Sequence, residues 1–186
     1  MIVVVDYGCG NLNAFINSFK RLNKKAIVAT RREDLKNAKN IILPGVGSFD
    51  HVMKSFNNSG LREEVEKKVL NDEVRVLGVC AGMQIMSNSS EEGVEQGLGW
   101  IPGEVKKIRQ DQLIYPTKLP HMGWNEINQR NNNPLLKEIK NGSRFYFVHS
   151  YYFECHNESN IIAKTDYGRS FASTINKNNI FGVQFH

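Results

Sequence analysis

The sequence "LGVCAGMQ" (residues 77–84) places a cysteine between an apolar run and the first turns of a helix. The apolar run, residues 74–79, has the length and composition of a buried strand. Met83 and Gln84, with the residues after them, are typical of a helix beginning directly after the cysteine. A strand joined to a helix by so short a turn predicts an α/β fold in which Cys80 lies at the carboxyl end of a strand, where such folds bind ligands.

The rest of the first half alternates strands with helices. Strands are predicted at residues 2–5, 26–29 and 40–44, and helices at residues 11–22, 48–57 and 61–70. This alternation predicts a parallel sheet covered by helices on both faces.

The second half is rich in short strands, with one short helix near residues 134–139. We therefore expect a single domain over residues 1–186: an open, mostly parallel sheet flanked by helices, with extra short strands in the second half. The strand candidates there are "GEVKKI", "MGWNEI", "RFYFVHSYYFEC", "NIIAKT", "SFAST" and "NIFGVQF".

Composition excludes several classes of protein. Hydrophobic residues make up 40% and charged residues 23% of the 186 residues, a mixture typical of globular domains. No apolar run approaches the roughly 20 residues that span a bilayer, and no basic region precedes the first apolar residues, so neither a membrane span nor a signal peptide is expected. Three cysteines without tight spacing argue against a disulfide framework or a zinc site, and favour a reducing cytoplasm.

The net charge of +5 is concentrated partly in the stretch "KRLNKKAIVATRRED" (residues 20–34). This stretch is either a solvated helix end with its following loop, or a border that attracts a partner or a phosphorylated substrate. No nucleic-acid motif accompanies it, so we expect no binding to nucleic acid.

The segment Gly78-Val79-Cys80-Ala81-Gly82 has the form of a nucleophile elbow with Cys in place of Ser. Its glycines allow a tight turn, and the beginning of a helix lowers a thiol pKa and offers N–H groups to an oxyanion. An isolated cysteine is more often a small buried hydrophobe. The glycines and the strand–helix context favour the nucleophile.

A thiol nucleophile needs a base, and the chain has five histidines. His149 ends "RFYFVH" and His186 ends "IFGVQFH", so both follow apolar strands from which a base could reach Cys80. Spacing does not choose between them, and a purely structural role stays open for each.

The loop "LPGVGSF" (residues 43–49) follows a predicted strand and contains two glycines around one valine. Its backbone amides could supply the second donor of an oxyanion hole. A plain strand–helix turn has the same pattern, because Gly-x-Gly alone is weak evidence.

Five motifs stand in the order found in class I glutamine amidotransferases, which the chain resembles from "VVDYGCGN" to its last residue. Within them it is most similar to the glutaminase subunits of imidazole glycerol phosphate synthase. "PHMGWN" and "YFVHSYY" distinguish these subunits from relatives that act in anthranilate, GMP or CTP synthesis. The five motifs are "LPGVGSF", "GVCAGMQ", "LPHMGWN", "YFVHSYY" and "GVQFH".

The resemblance implies a role for each motif residue. Cys80 would attack the glutamine amide with His186 as its base, and His149 would lie near the substrate instead. The remaining implied sites are an oxyanion hole at Gly45, Val46, Gly47 and Ala81, glutamine-binding positions at Gln84, Ser150 and Tyr151, and positions facing a partner at Asn11 and Tyr146.

The chemistry implied by the resemblance is acyl transfer from glutamine, with no metal and no organic cofactor. The ammonia released would pass to a (β/α)₈-barrel cyclase subunit in a heterodimer. That subunit would make imidazole glycerol phosphate for histidine biosynthesis in the cytoplasm.

The sequence departs from the family pattern in two places. The family usually has Leu at the position of Ala81, which changes the pocket but not the backbone N–H. The family also continues past its histidine with Pro-Glu-Lys-Ser and a last helix, and this Glu would complete a catalytic triad. We therefore expect a tail beyond His186 that supplies the third member.

Two other functions are compatible with the same residues. A paralogous glutaminase subunit could supply ammonia for the amination of a surface-polysaccharide sugar. An inactive scaffold or regulatory subunit could retain the fold without a complete triad, although the intact elbow and His186 argue against it.

Overall fold

The chain is organised by one large mixed sheet and a separate two-stranded sheet. The structure, a computed structural model, describes residues 1–115 and 117–186. Its strands are β1 (Ile2–Val5), β2 (Ala26–Ala29), β3 (Asn40–Leu43), β4 (Arg75–Val79), β5 (Ser89–Ser90), β6 (Gly103–Lys107), β7 (His121–Glu126), β8 (Asn128–Gln129), β9 (Arg144–His149), β10 (Tyr151–Cys155), β11 (Ile161–Asp166), β12 (Ser170–Lys177) and β13 (Ile180–Val183).

The helices lie mostly in the first half. They are α1 (Leu12–Arg21), α2 (Phe49–Asn58), α3 (Arg62–Glu66) and α4 (Ala81–Gln84), with a π-helical turn at Lys67–Asn71 and 3₁₀ turns at Arg32–Leu35, Gln110–Gln112, Pro134–Leu136 and Glu158–Asn160. None of the helices in the described ranges is long and apolar enough to cross a bilayer.

Five strands form the parallel part of the large sheet, in the order β2-β1-β3-β4-β13. Beyond β13 the strands β12, β10 and β6 continue the sheet in antiparallel fashion. Strands β7 and β9 pair separately with each other. The predicted α/β fold, an open parallel sheet flanked by helices with extra short strands from the second half, is confirmed.

Both faces of the parallel sheet are buried, which explains the unbroken apolar run of β1. Val3 and Val5 point into a core completed by α2, whereas Val4 belongs to the core on the opposite face, against α1. Alternate side chains of a strand point to opposite faces, so a strand buried on both has no polar position. Helix α1 is capped at its N-terminus by Asn11, whose side chain accepts a 3.1 Å hydrogen bond from the N–H of Ala14.

Several predicted elements end or divide differently in the structure. The helix predicted at residues 61–70 is α3 followed by a π-helical turn, in which the N–H of Asp72 bonds to the carbonyl of Lys67. Strand β3 ends before Pro44, which has no N–H for a sheet. The single segment "RFYFVHSYYFEC" divides at Ser150, so that β9 and β10 belong to different sheets. The helix predicted near residues 134–139 is a 3₁₀ turn.

Candidate active site

Cys80 occupies a sharp turn between β4 and α4, with φ of 56° and ψ of −116°. A non-glycine residue at positive φ is strained and is characteristic of functional sites. The turn also requires close backbone approach, because a Cβ on Gly82 would lie 2.0 Å from the carbonyl oxygen of Leu43, and one on Gly78 would lie 2.4 Å from that of Gly82. The elbow predicted from the glycine spacing is therefore present as a strained strand–helix turn.

The neighbouring strand β13 brings His186 to the same edge of the sheet. Val183 is in register with Val79, and the N–H of Cys80 donates a 2.8 Å hydrogen bond to the carbonyl of Val183. The N–H of His186 donates a 2.9 Å hydrogen bond to the carbonyl of Tyr146 in β9, which holds the segment after β13 beside the elbow. Cys80 and His186 both line one cavity of about 350 Å³.

The expectation that the beginning of a helix gives Cys80 a lowered pKa is wrong, because the pKa of its thiol is raised overall. Burial raises the pKa of the thiol to about 11, against the smaller lowering influences of the Ala81 N–H and the Gln184 side chain. Helix α4 has only four residues, so its dipole is too small to offset the loss of solvation. Cys80 is thus a protonated thiol at rest and needs a base to become a nucleophile.

The loop after β3 lies against the elbow. Val46 and Gly47 line the cavity with Cys80 and Ala81, whereas Gly45 lines an adjacent cavity of about 440 Å³ that Val46 and His186 also border. The buried hydroxyl of Tyr7 donates a hydrogen bond to the carbonyl of Pro44, which anchors the loop where it leaves the strand. Val46 is 55% exposed, so the loop is fixed at its beginning and open at its centre.

The predicted glutamine-binding positions Gln84, Ser150 and Tyr151 all line the cavity. The side-chain Nε2 of Gln84 donates hydrogen bonds of 3.0 Å to the Tyr151 carbonyl and 3.0 Å to Oε1 of Gln184. Both N–H groups of the Gln84 amide are therefore used, which leaves its side-chain oxygen to accept a hydrogen bond from a ligand.

The two candidate bases differ in their surroundings. Both ring nitrogens of His149 have partners, because Nδ1 lies 2.8 Å from the Tyr151 carbonyl and Nε2 lies 2.9 Å from Nδ1 of His121. The ring of His186 makes no side-chain hydrogen bond within the described ranges, and its partial burial lowers the pKa of the imidazole. Of the two, His186 is the ring with nitrogens available to accept a proton.

Two further residues belong to the site although the sequence analysis did not single them out. Gln184 is fully buried, and its Nε2 lies 3.7 Å from Sγ of Cys80. Glu92 lines the cavity, and its Oε2 accepts a 2.8 Å hydrogen bond from the N–H of Phe49. Gln184 lies inside the motif "GVQFH", two residues before His186, which was the available signal, whereas nothing local marks Glu92.

An apolar rim of exposed side chains is formed by Val46, Met122, Trp124 and Val148. Val46 and Val148 line the cavity, and Met122, which is in register with Val148, and Trp124 extend the rim along β7. Met122 is 60% and Trp124 is 63% exposed, and both lie on the face of β7 opposite its buried histidine. Trp124 packs against Tyr146, with ring centroids 6.1 Å apart. Asn11, the other position expected to face a partner, lines the adjacent 440 Å³ cavity at the same edge of the sheet.

Known proteins resemble this chain in sequence and in fold. The family model for class-I glutamine amidotransferases matches residues 3–186. Imidazole glycerol phosphate synthase subunit HisH of Leptospira borgpetersenii is 46% identical over the whole chain and 91% of its own length, and the subunit of the same name from Bdellovibrio bacteriovorus is 47% identical with the same coverage.

Solved structures share the fold at lower sequence identity. A crystal structure of a glutamine amidotransferase superimposes with a TM-score of 0.76 at 20% identity, covering all of this chain and 90% of that one. A glutamine amidotransferase from Thermotoga maritima gives a TM-score of 0.69 at 14% identity, covering all of this chain and 74% of that one. The chain therefore belongs to the class-I glutamine amidotransferases and, within them, to the group of HisH subunits of imidazole glycerol phosphate synthase.

Proposed function

We propose that the chain hydrolyses glutamine with Cys80 as nucleophile and His186 as base, and delivers the ammonia to a (β/α)₈-barrel cyclase partner that makes imidazole glycerol phosphate in histidine biosynthesis. The observation that carries this proposal is the strained elbow at Cys80, which shares one cavity with His186. Three unpaired cysteines among the described residues support a reducing cytoplasm as its location.

The first half of the reaction forms a thioester. His186 takes the proton of the Cys80 thiol as the sulfur attacks the side-chain amide carbon of glutamine. The negative charge moves to the amide oxygen, where N–H groups of the Gly45-Val46-Gly47 loop and of Ala81 stabilise it. One such donor is typically worth about 3–4 kcal/mol in the transition state. The carbon–nitrogen bond then breaks, and His186 gives its proton to the leaving ammonia.

The second half consumes the thioester. His186 removes a proton from a water molecule, which attacks the same carbon, and the carbon–sulfur bond breaks. The Cys80 sulfur regains a proton from His186, and glutamate leaves. Because burial holds the resting thiol protonated, each cycle begins with a proton transfer to His186.

Recognition of glutamine draws on polar groups around the cavity. Glu92 is the acidic residue among those that line it, so we assign its carboxylate to the α-ammonium group of the substrate. The free side-chain oxygen of Gln84 and the backbone of Ser150 and Tyr151 supply further hydrogen bonds. A pocket built to pair these groups discriminates against ligands that lack them, because its buried polar atoms are then left unsatisfied.

The apolar rim supports a protein partner over the cavity. Its members Met122 and Val148 are directly opposite each other in the β7–β9 pair, and Val46 belongs to the proposed oxyanion loop. A partner that covers the rim therefore touches the loop whose amides hold the oxyanion. Moving such a loop from about 1:99 to 99:1 in favour of the active arrangement takes roughly 5.5 kcal/mol of differential binding.

The test is glutamate release by the chain with its cyclase partner and a nucleotide ligand, compared with the Cys80→Ser variant. We expect the variant to lose at least about three orders of magnitude in turnover. Ammonium salts should still support the cyclase reaction of the variant complex, since ammonia then needs no glutaminase. The isolated chain should hydrolyse glutamine slowly, and the partner should accelerate it.

The matched control is Cys155→Ser, which replaces a thiol remote from the cavity and should leave glutamate release unchanged. A glutamine-analogue electrophile should label Cys80 and spare Cys9 and Cys155 in a peptide mass map. Label found mainly on Cys9 or Cys155, or normal turnover by Cys80→Ser, would overturn the proposed nucleophile.

A further inference from the structure

Two buried histidines form a contact that the proposed reaction does not use. His121 in β7 and His149 in β9 are only 2% and 7% exposed, and they lie opposite each other in the register of the two-stranded sheet. Nδ1 of His121 and Nε2 of His149 are 2.9 Å apart. The rings of Phe147 and Tyr167 stack on His121, at centroid distances of 4.8 Å and 3.8 Å.

The partners of the pair determine where its protons lie. The Tyr151 carbonyl can only accept, so Nδ1 of His149 carries a proton and donates it across 2.8 Å. Burial lowers the pKa of His149 to about 3 and that of His121 to about 4, so both rings are neutral near pH 7. A neutral ring has one N–H, and Nε2 of His149 therefore accepts from Nδ1 of His121.

The nitrogen of His121 that does not face His149 also has a hydrogen-bond partner. Nε2 of His121 is left as an acceptor and lies 3.3 Å from Nδ2 of Asn125, which also donates to the carbonyl of Asp166 at 2.8 Å. Each imidazole thus makes one donated and one accepted hydrogen bond. We call this series of hydrogen bonds, from Asn125 through His121 and His149 to the Tyr151 carbonyl, the histidine relay. Because every group in it has a hydrogen-bond partner, its protons have one stable arrangement.

The near end of the relay reaches the catalytic cavity. The Tyr151 carbonyl that His149 holds also accepts the 3.0 Å hydrogen bond from Nε2 of Gln84. The same Gln84 nitrogen bonds to Gln184, whose own amide nitrogen faces the Cys80 sulfur at 3.7 Å. Tyr151 is the first residue of β10, where it is in register with Lys107 of β6, and its carbonyl oxygen is held jointly by the side chains of His149 and Gln84.

We propose that His149, oriented by His121, is a positioning residue that fixes the Tyr151 carbonyl and, through it, the Gln84 side chain that receives glutamine. The proposal deepens the proposed function and rests on it. His149 acts through hydrogen bonds to the pocket and exchanges no proton with the substrate. Interactions of this kind hold the bound substrate and the transition state alike, so their loss raises KM more than it lowers kcat.

Variants of His149 separate positioning from mere packing. His149→Phe keeps a ring in the buried site but removes both nitrogens, whereas His149→Asn places an amide N–H near the position of Nδ1. We expect His149→Phe to raise KM for glutamine about tenfold, the effect of losing one hydrogen bond between Gln84 and the substrate, with kcat within about threefold of the wild type. His149→Asn should recover most of the loss.

The control is His156→Asn, which changes an exposed histidine in the turn after β10 and should alter neither constant. Glutamate release is measured with the partner present, while co-elution of the two subunits in size-exclusion chromatography verifies that each variant complex is assembled. A wild-type complex without glutaminase activity would refute the proposed function. An active wild type with an unchanged KM in His149→Phe would refute the positioning role alone.

A second measurement needs neither turnover nor a folded variant. Nitrogen-15 spectra of the wild-type imidazoles should show His149 and His121 both protonated at Nδ1 and unprotonated at Nε2 near pH 7. Reaction of Cys80 with a glutamine-analogue electrophile should shift the His149 signals and leave those of His156 unchanged. Finding His149 protonated at Nε2, or finding no shift on labelling, would overturn the proposal.

Discussion

The N–H of Cys80 donates a 2.8 Å hydrogen bond to the carbonyl of Val183, which joins the nucleophile elbow directly to the strand that leads to His186. Two residues more than 100 positions apart in the chain are thereby brought to one edge of the sheet. Parallel strands place their carboxyl ends together, so the loops after adjacent strands build one site.

The burial of Cys80 predicts how its alkylation depends on pH. With a thiol pKa raised to about 11, the thiolate fraction in the free chain is small at pH 7 and increases about tenfold for each pH unit up to that pKa. The rate of iodoacetamide labelling at Cys80 should therefore be lower than that of a model peptide thiol at pH 8, and should rise steeply to pH 10. Fast labelling that is independent of pH below pH 7 would contradict this prediction.

The buried histidine pair predicts acid sensitivity of the fold. The pKa of His149 is about 3 in the folded chain and about 6.5 in the unfolded chain, so the unfolded state binds more protons below pH 6.5. The stability that the fold gains from a neutral His149 is therefore fully present above pH 6.5 and is lost as the pH falls towards 3. Between pH 7 and pH 5 the free energy of unfolding should fall by about 1–2 kcal/mol from this group.

Urea titrations at pH 7 and pH 5 measure this loss. The matched chain is His149→Phe, which should show a smaller loss over the same interval, because phenylalanine takes up no proton. Between pH 7 and pH 5 most carboxylates stay ionised, so they contribute little to the difference. Equal losses for the wild type and His149→Phe would contradict the prediction.

The apolar rim predicts a binding hot spot at Trp124. This side chain is 63% exposed and packs edge-on against Tyr146, so a partner could bury it at little conformational cost. Trp124→Ala should weaken binding of the cyclase partner at least about 30-fold, equivalent to about 2 kcal/mol, as measured by calorimetry.

Leu22→Ala is the control for Trp124→Ala, because Leu22 is similarly exposed, at 66%, but follows the C-terminal end of α1 at the opposite edge of the sheet. Its affinity for the partner should equal that of the wild type. If Leu22→Ala weakened binding and Trp124→Ala did not, the partner surface would lie elsewhere.

A carboxylate placed two positions after His186 should increase turnover. Within the described ranges no carboxylate bonds to the His186 ring, and we propose that a tail beginning Pro-Glu supplies one. Removal of the acidic member of a serine-protease triad costs about four orders of magnitude, and the more acidic thiol should reduce that factor. Turnover with the partner should rise on adding the tail, and a tail beginning Pro-Gln should lose much of the gain. Equal turnover with and without the tail would remove the proposed role of the carboxylate.

Local sequence was sufficient for the first four strands of the parallel sheet and for the elbow, but not for the position of β13 beside β4. The run of β1 has no polar position because its side chains alternate between two cores, and such a pattern can be read without knowing any contact. Gly78 and Gly82 flank Cys80 because the backbone passes too close for a Cβ at either position. Both patterns can be recognised in consecutive residues, although the contact that requires Gly82, its approach to Leu43, is itself tertiary.

The choice between the histidines, the state of the thiol and the role of Gln184 required the tertiary structure. His149 and His186 both end apolar strands, and only the contacts of His149 with Tyr151 and His121 show that its nitrogens are occupied. The Cys80 pKa depends on how much solvent the surrounding layers exclude, which a short helix does not reveal. Hydrogen-bond partners and desolvation are set by segments distant in the chain, so the local sequence indicated which chemistry was available, and only the packing shows which side chains have free polar atoms for it.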